Sequence, residues 1–285
     1  MTSILVGIDG SERGDSALSW AIERAHIDGA DLELVTVLDA RTLRAAGGRE
    51  DVARTAAETV LEGARQKALG RYPSIKVSFS VIKGKVVDAI VDAAAGHSLV
   101  VLGSHHGAAV SESIGGAKGL RVSVSSNVPT VVVPVDWDAT APHGGITVGV
   151  GPDNTCDNAV AFGVAEAERE GKELKLVSAW GLPPLLARPA AAMGGEFGRV
   201  GEQFQAGLDE RVKAIKAEHA DLEVKGTAIE GSSPTRVLLE ASKGDSMLVL
   251  GTHTRTVLGR ALFGSIPHSV LGNLSVPTVM VPATL

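Results

Sequence analysis

The sequence predicts two tandem α/β domains, each an open, parallel, five-stranded sheet flanked by helices. The first observation is an internal repeat, because Gly103-Ser104-His105-His106 returns 148 positions later as Gly251-Thr252-His253-Thr254. The second is the alternation of short apolar runs with long amphipathic segments, which is typical of parallel sheets with right-handed crossovers. A repeat of about half the chain indicates two copies of one domain. We therefore predict domains at residues 1–137 and 146–285, joined by a linker at 138–145.

The individual elements follow from this alternation, taken in chain order. Runs such as Leu99-Val100-Val101-Leu102 lack polar alternation, as expected for strands covered on both faces. In the first half the predicted strands are 4–8, 32–38, 76–82, 99–102 and 130–134, and the helices are 14–28, 50–70, 86–95 and 117–126. In the second half the strands are 146–150, 173–178, 223–229, 247–250 and 278–281, and the helices are 157–171, 199–218, 235–243 and 265–274. Stretches 41–49 and 181–198 should be the least ordered, as flaps over a site or as plain surface connections.

Composition excludes several classes of function. The chain of 285 residues carries a formal net charge of −6, which supplies no basic stripe for nucleic acid. Cys156 is the only cysteine, so no disulfide framework exists, and a small buried thiol is its simplest interpretation. The N-terminus has no signal-peptide core, and no apolar stretch approaches the length of a membrane span. We expect a soluble, cytoplasmic protein with no membrane partner.

A glycine loop in the second half indicates a binding site. It runs from Gly251, at the end of a buried strand, to Gly264-Ser265 at a predicted helix start. Glycine lets the backbone approach a ligand closely, and a helix start offers free N–H groups and a hydroxyl. Together these parts predict an anion-binding site, and polyphosphate is the expected ligand. The alternative is a strand-turn-helix connection that uses glycine only for its turn.

The loop and its flanks resemble the universal stress protein family. The likeness lies in the pattern Gly-x-x-Gly, nine residues, Gly-[Ser/Thr], followed by a helix and Val-Pro-Thr-Val-x-Val-Pro. Val6-Gly7-Ile8-Asp9-Gly10-Ser11 also resembles the family's opening strand and loop, so the likeness spans nearly the whole chain as two fused copies. The resemblance implies a nucleotide-binding fold of the adenine-nucleotide α-hydrolase-like kind. In ATP-binding members it implies that the glycine loop holds phosphates, while the opening Asp and a second-strand Val hold ribose and adenine.

Carried over position by position, neither half is complete. The first half keeps the aspartate, the valine and two glycines, but has His and Ala where the family has Gly and Ser/Thr. In that order, these predicted cofactor-binding residues are Asp9, Val37, Gly103, Gly116, His106 and Ala117. The second half keeps the outer glycines and the serine with Thr at the middle glycine, giving Gly251, Gly264, Ser265 and Thr254. Gly151 replaces the aspartate there, and Ala179 matches Val37.

Our first hypothesis is a regulatory protein that binds ATP or another adenine nucleotide, with Mg²⁺ contributed through the phosphates. The sequence has no P-loop, nucleophile elbow or Cys/His cluster, so we predict no catalytic residue and no protein-held metal. One alternative is a structural or partner-binding member with decayed sites, and another is an enzyme of the wider adenine-nucleotide group. Each half ends in a β-prone segment, 129–135 and 277–283. The resemblance implies that such strands pair between domains, and we expect a homodimer.

Overall fold

The computed structural model describes residues 2–11, 14–104, 114–151, 156–181, 198–252 and 269–283. It confirms the predicted fold class, because helices flank parallel strands in both halves. The chain forms two compact units, Met1–Ala141 and Pro142–Leu285. The linker limits given above stay a prediction.

The first unit alternates strands and helices along its whole length. Its described strands are β1 (Ser3–Gly7), β2 (Asp31–Leu38), β3 (Val77–Lys83), β4 (Leu99–Gly103) and β5 (Thr130–Val133). Its described helices are α1 (Asp15–Asp28), α2 (Ala40–Ala45), α3 (Glu50–Arg71), α4 (Val86–Ala93) and α5 (Ile114–Ser125). Helix α1 ends at Gly29, which takes a φ of 61° and donates its N–H to Ala25 O. This left-handed conformation suits glycine and stops the helix before β2.

The strand order of the first unit sets the positions of its helices. The strands lie in the order β3-β2-β1-β4-β5, and each neighbouring pair is parallel. The chain moves outward from β1 to β3 and then returns across the sheet to β4 and β5. Right-handed crossovers therefore put α1 and α3 on one face and α4 and α5 on the other. The contacts between α1 and α3, and between α4 and α5, agree with this arrangement.

Aliphatic side chains fill the core of the first unit. Leu5, Val35 and Val100 from the strands pack against Val87 and Ile90 of α4. Strand β4 is buried from Leu99 to Leu102, as its lack of polar alternation predicts for a strand covered on both faces.

The second unit repeats this plan. Its described strands are β6 (Ile146–Gly149), β7 (Leu174–Trp180), β8 (Val224–Glu230), β9 (Met247–Thr252) and β10 (Thr278–Pro282). Its described helices are α6 (Asp157–Glu170), α7 (Gly198–Glu218) and α8 (Pro234–Ala241), and residues 269–271 are also helical. The strands lie in the parallel order β10-β9-β6-β7-β8. Both units therefore share one topology, as a duplicated domain requires.

The prediction that residues 41–49 lack order is wrong, because α2 occupies most of that stretch. Asp39 caps this helix, and its Oδ1 accepts the N–H groups of Arg41 at 3.1 Å and Thr42 at 2.8 Å. Leu43 packs against a cluster that contains Leu38 and Ala53, so the short helix is anchored to the core. Of the other stretch with the same prediction, residues 182–197 lie outside the described residues.

Replacing either of two helical glycines of the second unit with alanine should have opposite effects on stability. A Cβ at Gly163 in α6 would overlap Val148 Cγ2, whereas a Cβ at Gly207 in α7 would meet nothing within 4 Å. We expect Gly163→Ala to lower the free energy of unfolding by about 1–3 kcal/mol through overpacking. Gly207→Ala should raise it by about 0.5–1 kcal/mol, because alanine is the better helix former. Urea unfolding of both variants measures the pair, and equal effects of the same sign would contradict the packing argument.

Candidate functional site

Three residues predicted from the sequence meet at the carboxyl edge of the first sheet. Strand β1 pairs Gly7 with Val35 of β2, and this register continued by two residues sets Asp9 beside Val37. Strand β1 also pairs Val6 with Val101 of β4, which sets Ile8 beside Gly103. Neighbouring strands lie about 4.8 Å apart. Asp9, Val37 and Gly103 therefore come from three adjacent strands and occupy one small area.

Hydrogen bonds hold the backbone of Ile8 in this register beyond the end of β1. Ile8 N donates to Val35 O at 2.8 Å, and Thr36 Oγ1 donates to Ile8 O at 2.7 Å. The residue before Asp9 is therefore tied to β2 on both its polar groups. Thr36 has a positioning role that the sequence analysis did not identify.

The site lies where the strand order reverses. Strands β1 and β4 are neighbours, but the helices that follow them, α1 and α5, lie on opposite faces of the sheet. In open α/β sheets a crevice forms at such a switch point, outside the carboxyl ends of the strands, and ligands bind there. Asp9 and Gly103 flank this crevice.

The Asp9 carboxylate is held in a tight turn. Its Oδ1 accepts the backbone N–H of Ser11 at 2.9 Å and the Ser11 hydroxyl at 2.7 Å. Gly10 between them has a φ of 77°, a conformation that glycine adopts without strain. The Asp9 side chain remains exposed at the sheet edge. The turn therefore presents a fixed carboxylate, and the Asp-x-Ser spacing was the sequence signal for it.

Val37 and Gly103 supply apolar and backbone surface. Val37 is half-buried and packs against the cluster that contains Val87 and Ile90 of α4. Gly103 ends β4, and the next residue, Ser104, donates its N–H to Val133 O at 2.8 Å. The chain thus stays in the sheet for one residue beyond the strand.

The rest of the predicted phosphate loop is described only in part. Gly116 and Ala117 lie in the first turn of α5, which begins at Ile114, three residues before its predicted start. The N-cap residue and the first three helical residues have N–H groups without a partner inside the helix, so the amide of Gly116 belongs to that set. Four predicted loop residues lie outside the described residues; they are His106, Thr254, Gly264 and Ser265.

The equivalent edge of the second unit lacks a carboxylate at the Asp9 position. The register of β6 with β7 pairs Gly149 with Val177, and two residues further it sets Gly151 beside Ala179. Gly251 lies within β9, and Thr252 Oγ1 donates to Val281 O at 3.3 Å. The edge therefore keeps a glycine near the end of β9 but has no side-chain oxygen at position 151.

Lys83 is a charged residue at the carboxyl end of β3, which pairs with β2 in the same sheet. Its Nζ lies 2.5 Å from Glu50 Oε2, and this bond is the main cause of a lowered pKa of the Glu50 carboxyl. The side chain is thus an ordinary surface partner of α3. Within the described ranges no cluster of three or more His, Cys, Asp or Glu residues is arranged to hold a metal.

Cys156 precedes α6 and is buried, with 2% of its surface exposed. Burial raises the pKa of its thiol, an effect that the nearby Arg211 charge partly opposes. A buried thiol reacts slowly because the thiolate is the nucleophile. We expect iodoacetamide to alkylate Cys156 at least about tenfold more slowly in the folded chain than in denaturant at pH 8. Alkylation at equal rates in both states, measured by mass spectrometry, would contradict this burial.

Comparison with known proteins identifies the family. The model of the universal stress protein family matches residues 1–134 and again 144–282. Universal stress protein Rv2005c of Mycobacterium tuberculosis is 28% identical over 97% of this chain and 96% of its own length. A universal stress protein of Mycolicibacterium smegmatis is 26% identical over 98% of this chain and 96% of its own.

A solved structure shows the same fold. The crystal structure of a universal stress protein from Archaeoglobus fulgidus superposes with a TM-score of 0.75 and 19% identity, over 98% of this chain and 96% of the other. None of the helices in the described parts of the chain combines the length and apolar character needed to cross a membrane. With the family model matching twice in succession, the chain belongs to the universal stress protein family as a tandem member.

Proposed function

We propose that the chain binds an adenine nucleotide at the carboxyl edge of its first unit. The observation that carries the proposal is the convergence of Asp9, Val37 and Gly103 at the switch point of the sheet. A nucleoside needs a carboxylate to bind its ribose hydroxyls and an apolar patch to contact its base. A glycine at a strand end lets the ligand approach the backbone closely.

Each group has a separate role in this proposal. The Asp9 carboxylate accepts hydrogen bonds from the ribose hydroxyls, because the Ser11 turn holds it at the edge. Val37 offers apolar contact to the base. The phosphates would extend toward the first turn of α5, which follows β4 in the chain and whose unpaired amides include that of Gly116. Mg²⁺ would come with the phosphates, whose charge it neutralises.

We further propose that the role is binding and regulation without catalysis. The Oδ1 atom of Asp9 already accepts two hydrogen bonds from Ser11. Such a carboxylate orients a ligand more readily than it takes a proton from one. An ATP turnover of about 1 per second or more, an ordinary enzymatic rate, would refute this part.

The second unit favours a different role. Gly151 leaves the position equivalent to Asp9 without a carboxylate, so we propose that this unit does not hold a nucleoside as the first one does. It then acts as a structural or partner-binding domain. One bound nucleotide per chain is the expected stoichiometry.

Isothermal titration of the intact chain with ATP tests the proposal. We expect saturable binding with a stoichiometry near one, and weaker heat with AMP because it lacks the outer phosphates. An absence of heat up to millimolar ATP would refute nucleotide binding. Native mass spectrometry of the same sample counts subunits and measures the homodimer that the family resemblance leads us to propose.

A further inference from the structure

A cleft opens beside Asp9 on the face of the first unit that carries α1 and α3. It has a volume of about 240 Å³ and lies between the β1–α1 loop and α3. Leu18, Val60 and Ala64 form apolar walls, and Val60 is 38% exposed although its side chain is large and apolar. Concave apolar surface with a few polar groups is the usual form of a small-molecule site.

Charged side chains line the same cleft. Asp9 and Asp15 contribute carboxylates, and Lys67 contributes an ammonium whose Nζ lies 3.0 Å from Asp15 Oδ2. Among the lining residues that the structure describes, two carboxylates and one ammonium leave a net negative charge. The Asp15 side chain is 64% exposed, so its carboxylate is accessible to a second partner. The cleft is therefore electrostatically suited to a cation.

The second unit shows which cation fits such a space. Helices α3 and α7 end 147 positions apart, and on this spacing Arg211 stands where the first unit has Ala64. Helices α1 and α6 begin at the equivalent residues Asp15 and Asp157. Arg211 Nη1 lies 2.7 Å from Asp157 Oδ1, and the arginine side chain is only 23% exposed. In the second unit, the guanidinium of Arg211 thus already pairs with Asp157, the carboxylate that corresponds to Asp15.

We propose that the first-unit cleft binds a small guanidinium cation, which pairs with Asp15 as Arg211 pairs with Asp157. Ala64 leaves open the space that the arginine side chain occupies in the second unit, and it lines the cleft directly. Lys67 lies about one helical turn beyond Ala64 on α3 and forms its ion pair with Asp15 from there. It therefore links α3 to α1 without filling the space beside Ala64. A planar guanidinium also matches a carboxylate through paired hydrogen bonds, which an alkylammonium does not.

Isothermal titration of the intact chain with methylguanidinium tests the proposal. We expect one equivalent to bind with a dissociation constant of about 1 mM, the order suited to so small a ligand. Urea has the same planar shape without the charge, and should bind at least about tenfold more weakly because it loses the ion pair.

Three variants locate the site. Ala64→Arg supplies the missing side chain and should abolish binding. Asp15→Asn removes the pairing charge without filling the cleft and should weaken binding about tenfold. Arg211→Ala opens the equivalent space in the second unit and should raise the stoichiometry from one to two.

Thermal unfolding of each variant shows first that it folds. The proposal is overturned if the intact chain gives no saturable heat with methylguanidinium, or if urea binds as tightly. It is also overturned if folded Ala64→Arg keeps the affinity of the intact chain. Where Ala64→Arg does not fold, Asp15→Asn decides, and an unchanged affinity in that variant overturns the proposal.

Discussion

Replacing Asp245 with alanine is expected to lower the free energy of unfolding of the second unit by about 2–4 kcal/mol. Asp245 is 2% exposed and lies at the amino-terminal edge of the sheet. Its Oδ2 accepts the Thr147 hydroxyl at 2.6 Å, and its Oδ1 accepts the Lys175 ammonium at 2.7 Å. Alanine leaves the buried hydroxyl unsatisfied and the ammonium unpaired. The cost falls below that of a fully buried pair because the Lys175 side chain is 34% exposed and can regain water.

Urea unfolding, followed by circular dichroism, measures this loss. Arg49→Ala is the control, since it removes one partner of an ion pair with Asp51 in which both side chains are about 70% exposed. Exposed ion pairs contribute about 0–1 kcal/mol, so Arg49→Ala should leave the free energy of unfolding nearly unchanged. Asp245→Asn keeps an acceptor for Thr147 and should cost less than Asp245→Ala. A loss below about 1 kcal/mol in Asp245→Ala would show that this network does not stabilise the fold.

The first unit places a histidine and a glutamate at the same two positions. His97 Nε2 lies 3.3 Å from Glu33 Oε2, and on the spacing of the repeat these residues correspond to Asp245 and Lys175. Position 33 pairs with Leu5 in the sheet, as Lys175 pairs with Thr147. In both copies a side-chain contact therefore links the start of the second strand to the segment that precedes the fourth strand. The residue types that make this contact differ between the two copies.

This network marks a limit of what the sequence could predict. Lys175 and Asp245 are 70 positions apart, and neither belongs to a local motif. Only the strand register, which pairs β6 with both β7 and β9, brings them together. An acidic residue stands opposite a lysine or a histidine at matching positions of both copies, and this signal in the repeat can be recognised only once the strand order is known.

The fold itself was predictable because its signals are local. Fully apolar runs such as Leu99-Val100-Val101-Leu102 identified central strands, and amphipathic segments between them identified the helices. The error at α2 came from composition, since a stretch rich in Ala and Gly was interpreted as poorly ordered. Its stability depends instead on the Asp39 cap and on the contact of Leu43 with the core. The convergence of Asp9, Val37 and Gly103 followed from the family pattern, while the Ser11 and Thr36 bonds that fix it depend on the folded register.

Replacing Asp9 with alanine is expected to weaken ATP binding by about 10- to 100-fold. A hydrogen bond to a charged group contributes about 1.5–3 kcal/mol, and each 1.4 kcal/mol corresponds to a tenfold change in affinity. The side chain is exposed and its partner Ser11 lies in the same loop, so the fold should be preserved. Isothermal titration gives the affinity, and an unchanged melting temperature verifies folding.

A matched control separates the carboxylate's position from its charge. Asp51→Ala also removes one negative charge, from an exposed position on α3, and should leave ATP affinity unchanged. Gly151→Asp makes the reciprocal change, because it places a carboxylate beside Ala179 at the edge of the second unit. If a fixed carboxylate at this register is what selects a nucleoside, the stoichiometry of Gly151→Asp rises from one to two. An Asp9→Ala affinity within about twofold of the intact chain would instead place the nucleotide away from this edge, since no contact worth a hydrogen bond would have been lost.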